Sequence, residues 1–358
     1  MRRVNGDDGA VAVMVAILAV ALFGFGALVI DVGALYAERR ELQNGADAAA
    51  FAVAQACAGG DCGTFRTDAD EFADDNALDD ASRIPAGGVC GTESVGLPPC
   101  VSPPSGLAGT GYVRVTARTE EPDGTTVVPP FLAGVLDLIA TDSTDRNTGT
   151  DVGAASTVIW GAPTLEEADL ALTFSTCEYN RLTKDADGKT VFATEPYDRA
   201  LERVIYFHDT TEASSCPAGP SGADLPGGFG WLDSDSNCSA TITDEWVEDS
   251  TGAAATNDCK AALRANLGKT IVIPVFDETN GLSGSNGEYH ITTAVGFVLT
   301  GWRFPGTVQA SSTLSTTPNP CRSSMTCITG YFVQVLAPDS GPVGDGPDMG
   351  VRVTQLVS

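Results

Sequence analysis

Histidine is nearly missing from this chain of 358 residues, which has only His208 and His290. Imidazole is the commonest general base, and neither histidine stands near a Gly-x-Ser-x-Gly turn. A nucleophilic site would have to be assembled entirely by the fold, so an enzymatic role is not expected. Basic residues are scarce as well: 20 Lys and Arg face 47 Asp and Glu, for a net charge of -27. Nucleic acid needs clustered Lys and Arg to neutralise its phosphates, and an anionic lipid surface needs the same, so neither is an expected partner. Gly268-Lys269-Thr270 lacks the earlier glycine of a phosphate-binding loop. There is no Cys-x-x-Cys, and two histidines leave no ligand set for zinc. No cofactor or metal is expected.

Cysteine is also missing from the first 56 residues, yet ten follow. They are Cys57, Cys62, Cys90, Cys100, Cys177, Cys216, Cys238, Cys259, Cys321 and Cys327. An even count on one side of a membrane span fits disulfides in an oxidising compartment. Neighbours in sequence suggest Cys57–Cys62, Cys90–Cys100, Cys238–Cys259 and Cys321–Cys327, leaving Cys177–Cys216. Spacing alone does not settle connectivity, and these pairs are expectations.

The span itself is Ala10 to Ile30, a run without a charge. At 1.5 Å per residue it reaches roughly 30 Å, the thickness of a hydrocarbon core. It exceeds the apolar segment of a cleaved signal peptide and ends at Asp31 rather than at a small-residue cleavage site. A retained anchor is therefore expected. Arg2 and Arg3 precede it, which keeps the N-terminus cytoplasmic and places everything after Asp31 outside. Asp31 and Tyr36 mark the outer membrane interface.

Beyond Tyr36 the helical pattern continues without proline. Leu35, Leu42, Ala46, Ala49, Val53 and Ala56 fall on one face, interrupted by Arg39. These mostly small residues allow close approach of a neighbour, either the protein's own globular part or a second copy. Leu42, Gln43, Ala46, Asp47, Ala49 and Ala50 are the candidate helix docking face.

Three segments here resemble the TadE/TadG-like family of Flp (tight-adherence) pilus-assembly proteins. They are Gly9-Ala10-Val11-Ala12-Val13, then Asp31-Val32-Gly33-x-Leu35-Tyr36, then Leu42-Gln43-x-x-Ala46-Asp47-Ala48-Ala49-Ala50. The resemblance is strongest over about the first 55 residues. Weaker likenesses run through Phe131–Leu136, Trp160–Pro163, Ile273–Asp277 and Cys327–Phe332. It implies a single-pass envelope protein of a pilus or secretion apparatus, with the bilayer and other platform proteins as partners and self-association open. Prepilin-like relatives carry a Glu where this chain has Met14, a departure that favours an accessory protein over a polymerised subunit.

The fold class expected is α+β: a long N-terminal transmembrane helix continuing into an extracytoplasmic, β-rich, disulfide-bonded ectodomain. Three regions are expected: residues 1–56 for anchor and extended helix, 57–161 for a disulfide-bearing α+β part, and 162–358 for a β-rich distal part. Within them the pattern predicts a short helix over Asp70–Leu78 and a helix from Pro129 to Ile139. Strands are expected at Tyr112–Arg118, Val152–Trp160, Arg203–His208, Thr270–Phe276, Tyr289–Trp302, Tyr331–Ala337 and Val351–Val357. Asp187-Gly188 should turn a hairpin between Arg181–Thr183 and Thr190–Phe192, and Pro217–Gly230 reads as loop. Asp233-Ser234-Asp235-Ser236-Asn237 has some of a calcium loop's spacing, but Cys238 stands where glycine is needed, so an acidic surface loop is expected. The function expected is structural, in assembly or anchoring of the pilus machine. A surface adhesin is the alternative, and a hydrolase using His208 or His290 is third.

Overall fold

The computed structural model describes residues 6–77, 81–105, 107, 109, 111–120, 124–128, 149–208, 216–217, 219–221, 225–242, 245–250, 252–281, 287–322 and 324–357. One helix, α1 (Gly6–Ala58), runs unbroken for 53 residues. It contains no proline and is rich in Ala and Leu, which lose little freedom in a helix. Between Val11 and Ile30 its large apolar side chains face outward, with Val20, Leu22, Phe23, Phe25 and Val29 all exposed. The window from Val11 onward is long and apolar enough to cross a membrane. From Leu42 the helix is progressively buried, and Ala46, Ala49, Ala50, Val53, Ala54 and Cys57 are fully so. It ends where Gly60 takes a positive φ and its N–H bonds to the Cys57 carbonyl.

Among the described residues, the buried half of α1 and the short α2 (Phe65–Asp74) lie on a six-stranded sheet. It comprises β1 (Ser82–Arg83), β2 (Val89–Gly91), β3 (Gly111–Thr119), β4 (Gly153–Gly161), β15 (Val335–Leu336) and β16 (Val351–Leu356). In β3 the alternation is plain: Val113, Val115 and Ala117 are fully buried, while Arg114, Thr116 and Arg118 are half-buried. The last strand, β16, returns across the chain to pair antiparallel with β4 and parallel with β15. The N-terminal and C-terminal portions thus share one sheet.

The second sheet is built from β6 (Leu172–Ser175), β7 (Arg203–Tyr206), β8 (Phe229–Trp231), β11 (Thr270–Asn280), β12 (Glu288–Phe304) and β14 (Cys327–Val333). Their order is β7-β14-β12-β11-β6-β8, with β6 parallel to β11 and the other pairs antiparallel. A bridge between Phe207 and Phe229 joins the two ends, sealed by the His208 N–H bonding to the Phe229 carbonyl at 3.0 Å. The six strands therefore close into a ring. Gly228 makes this closure possible, since it has φ +83° and a Cβ there would collide with the Tyr206 carbonyl. Aromatic rings fill the interior: Phe174 meets Phe297 at 5.1 Å and Phe332 at 5.9 Å from non-adjacent strands, and Phe229 packs on Phe207 and Phe304. The strands β10 (Trp246–Glu248) and β13 (Thr307–Gln309) add to the two projecting ends of β12. A small pair, β5 (Glu167–Ala168) with β9 (Ala240–Thr241), lies apart. This is an α+β fold.

All ten cysteines are paired, as Cys57–Cys62, Cys90–Cys100, Cys177–Cys216, Cys238–Cys259 and Cys321–Cys327. Several local expectations need correction. The short acidic helix begins at Phe65 and ends at Asp74, because Thr64 starts it and the Asp75–Ala77 turn stops it. Arg181–Thr183 is not a hairpin strand but the last turn of the helix α3 (Thr176–Thr183). The Asp185–Gly188 turn is present and closes only a single Lys184–Thr190 bridge. Phe229 and Gly230 belong to β8 rather than to a loop. A polar helix, α4 (Asn257–Ala265), was not foreseen; Thr256 caps it by accepting from the Cys259 N–H. The helix expected from Pro129 to Ile139 and the likeness at Phe131–Leu136 lie outside the described residues.

Candidate functional site

The helical stripe of α1 is the first candidate, and the fold shows what covers it. Leu42, Ala46, Ala49 and Ala50 are buried in one core with Val113, Val115, Ala117, Val158 and Trp160 of the first sheet and with Ala69 and Ala73 of α2. Gly45 lets α2 come close, since a Cβ at that position would stand 3.0 Å from the Ala73 carbonyl oxygen. Small residues on both helices make this contact possible. Gln43 is half-buried beside them and donates from Nε2 to the Asp47 carboxylate at 2.8 Å and to the Ala155 carbonyl at 3.3 Å. The six proposed docking residues therefore lie together, and the surface that covers Leu42, Ala46, Ala49 and Ala50 is the protein's own folded part. Of the interface pair, Tyr36 is exposed and Asp31 is half-buried on the bare stretch of helix above the cradle.

The end of α1 is held from far along the chain, which sequence reasoning missed. The Ala58 carbonyl accepts from Gln334 Nε2 at 2.9 Å and from the Arg352 guanidinium at 2.7 Å. Gln334 joins β14 of the ring to β15 of the first sheet, and Arg352 sits in β16. Arg352 is itself fixed by Asp348, with Nε–Oδ2 at 2.9 Å. A cation at a helix C-terminus faces the negative end of the helix dipole. No local pattern announces this cap; only the tertiary return of β16 creates it.

A cleft of about 600 Å³ opens on the ring beside His290, floored by Leu165, Ile242 and Ile291 and rimmed by Glu245 and Asp345. His290 Nδ1 lies 2.6 Å from Asp277 Oδ1, and Nε2 lies 3.3 Å from Glu245 Oε2. Burial works against its charge, but the hydrogen bonds to Asp277 and Glu245 outweigh it and raise its pKa. With both ring nitrogens facing carboxylates, this imidazole is placed to hold a proton rather than to take one from a nucleophile. His208 stands elsewhere, its ring 4.4 Å from Phe207 and its backbone in the seam of the ring. Among the described residues no serine is hydrogen-bonded to either ring.

In the acidic loop, the Asp235 carboxylate accepts from the Asn237 and Ser239 N–H groups and from Ser239 Oγ. Those bonds hold its pKa below the usual carboxylate range. The side chain is thus used by its own turn, and among the described residues no cluster of three His, Cys, Asp or Glu is placed to hold a metal ion.

Comparison with known proteins bears on one part of the chain. No curated protein and no solved structure matches it. Residues 9–56, the bare apolar stretch of α1 together with its cradled half, match the family described as putative Flp pilus-assembly TadE/G-like.

Proposed function

We propose that this is a single-pass envelope protein with an accessory, structural role in assembling or anchoring a Tad/Flp-type pilus or a related secretion apparatus. One observation carries the reading. The matched residues form a single helix whose first half has no protein cover and whose second half is core to the folded ectodomain. In this arrangement the helix holds the ectodomain on the membrane, with Asp31 and Tyr36 at the outer surface. Arg2 and Arg3 put the N-terminus in the cytoplasm, and five disulfides fit an ectodomain in an oxidising compartment. The commitment of both His290 nitrogens to carboxylates supports a role without catalysis.

Since Leu42, Ala46, Ala49 and Ala50 are covered by the chain itself, contact with other pilus components falls to the uncovered side of α1. Photo-crosslinking groups placed singly at Val32, Tyr36, Arg39 and Arg40 in native membranes test this, with products identified by mass spectrometry. Capture of pilus or secretion-platform subunits from these positions, and not from Ala49 or Val53, is the expected result. Capture of lipid and the chain's own residues alone, from every position, would remove the assembly role and leave a surface-binding protein as the better reading.

A further inference from the structure

The cleft beside His290 has a short strand on its rim. β10 is a three-residue strand that pairs with β12 through Trp246–His290, Val247–Tyr289 and Glu248–Glu288. Its lead-in is tied by the Ile291 N–H to the Glu245 carbonyl at 2.7 Å. The Glu245 side chain reaches over to His290 Nε2, while Asp277, at an irregularity in β11, takes Nδ1. Trp246 stacks beside the same ring, with centroids 5.0 Å apart. Among the described residues the charged groups beside this imidazole, on the elements around it, are acidic: Asp277 and Glu278 from β11, Glu245 and Glu248 from β10 and its lead-in, Glu288 from β12, and Asp345 across the cleft. Glu278 is engaged elsewhere, by the Ser221 N–H and hydroxyl.

We propose that His290 is a proton-operated latch that holds the β10 rim of the cleft shut. A neutral imidazole has one N–H, so it can satisfy one carboxylate and must present a lone pair to the other. Asp277 keeps its bond, being closer and half-buried, whereas Glu245 is 82% exposed and can leave. Loss of the proton therefore turns the Nε2–Glu245 contact from attraction to repulsion. The far end of the rim is fixed also by the Asp233 N–H on the Glu248 carbonyl, the Ser250 N–H on the Trp231 carbonyl and the buried Val247, so it is the Glu245–Trp246 end, tied by the β12 pairing and the Ile291 N–H, that loss of this contact loosens. The sign follows from the raised pKa: the latch is closed below the ordinary histidine value and opens as pH climbs through the raised one. An envelope protein meets such changes in its surroundings directly.

The test uses the full chain in lipid nanodiscs. With two histidines in the protein, side-chain NMR assigns His290 by comparison with His290→Gln. Amide hydrogen exchange, corrected for the intrinsic effect of pH, then follows Ile291, whose N–H bonds to the Glu245 carbonyl, and Val247, which the register pairs with Tyr289. The expected result is a severalfold fall in their protection over the pH interval in which His290 loses its proton, with Thr270–Val275 unchanged. Glu245→Gln changes an exposed residue and should preserve the fold while removing the pH dependence of β10. Unchanged protection of β10 across that interval, or the same pH dependence persisting in Glu245→Gln, would overturn the latch.

Discussion

Replacing the two side chains that cap α1 sets a sharp test of how the folded part is held to the helix. Ala58 is 2% exposed, and its carbonyl receives Gln334 and Arg352. Changing each to Met keeps most of the side-chain volume and removes the donor. Gln334→Met loses one neutral hydrogen bond, worth about 1 kcal/mol. Arg352→Met loses a charged one and its place at the helix dipole, about 2 kcal/mol, and also leaves Asp348 without its guanidinium. Either single variant still leaves the carbonyl one donor. The double variant leaves it buried with none, an orphaned acceptor costing roughly 1–3 kcal/mol more than a satisfied one. The two changes should therefore be worse together than their sum, by about 1 kcal/mol. Denaturant unfolding of the four proteins in one detergent, followed by circular dichroism and by tryptophan fluorescence, completes the cycle. Simple additivity, within about 0.3 kcal/mol, would show that water or another donor serves this carbonyl and would refute the shared cap.

Other outcomes follow from single sites. Glu202 is 8% exposed with no ion pair among the described residues, and its carboxylate is held by Thr300, Ser312 and Thr313. Burial opposes its charge but those bonds prevail and lower its pKa, so its contribution is present above the ordinary carboxylate value and lost as pH falls through the lowered one. Glu202→Gln should cost about 2 kcal/mol at neutral pH, with the gap in Tm from the parent protein closing on acidification. At Gly45, Ala gains about 1 kcal/mol of helix propensity against a tight contact with the Ala73 carbonyl, so Gly45→Ala should be near neutral. Gly45→Leu should lose roughly 1–3 kcal/mol by overpacking, read as a lowered Tm. Gly228→Ala forces a Cβ onto the Tyr206 carbonyl at a positive φ, and should raise amide exchange specifically at His208 in the seam of the ring.

Features carried by neighbours in sequence were legible before the structure. The α1 stripe, the alternation in Tyr112–Arg118 and the strand at Val351–Val357 each follow from local periodicity. The disulfides other than Cys177–Cys216 also close short loops. What stayed hidden depends on distant pairing. The helices α3 and α4 are short and polar on average, so although α4 carries Cys259, Ala262 and Leu263 at helical spacing the signal spans a single turn, and α3 turns an expected hairpin strand into a helix end. The parallel meeting of β6 with β11, the Phe207–Phe229 seam and the return of β16 to β4 have no signature in their own residues. For the candidate sites the limit is the same. The stripe could be seen but not what it packs against, and His290 could be seen but not Asp277 and Glu245 around it.

In the proposed arrangement the stretch of α1 between Asp31 and Leu42, which turns Val32 and Tyr36 outward, sets a clearance. Eleven residues of helix rise about 16 Å, of which headgroups take roughly 5–8 Å if Asp31 lies at the edge of the hydrocarbon, as proposed. What is left is about 10 Å, the thickness of one helix with its side chains. A neighbouring helix could pass beneath the ectodomain and touch the shaft there, whereas a folded domain could not. Lengthening the shaft by a turn would widen that slot by about 5 Å, and also rotate everything above it by the remainder of a whole turn. The spacing between lipid and Leu42 thus acts as a gauge that selects its neighbours by thickness.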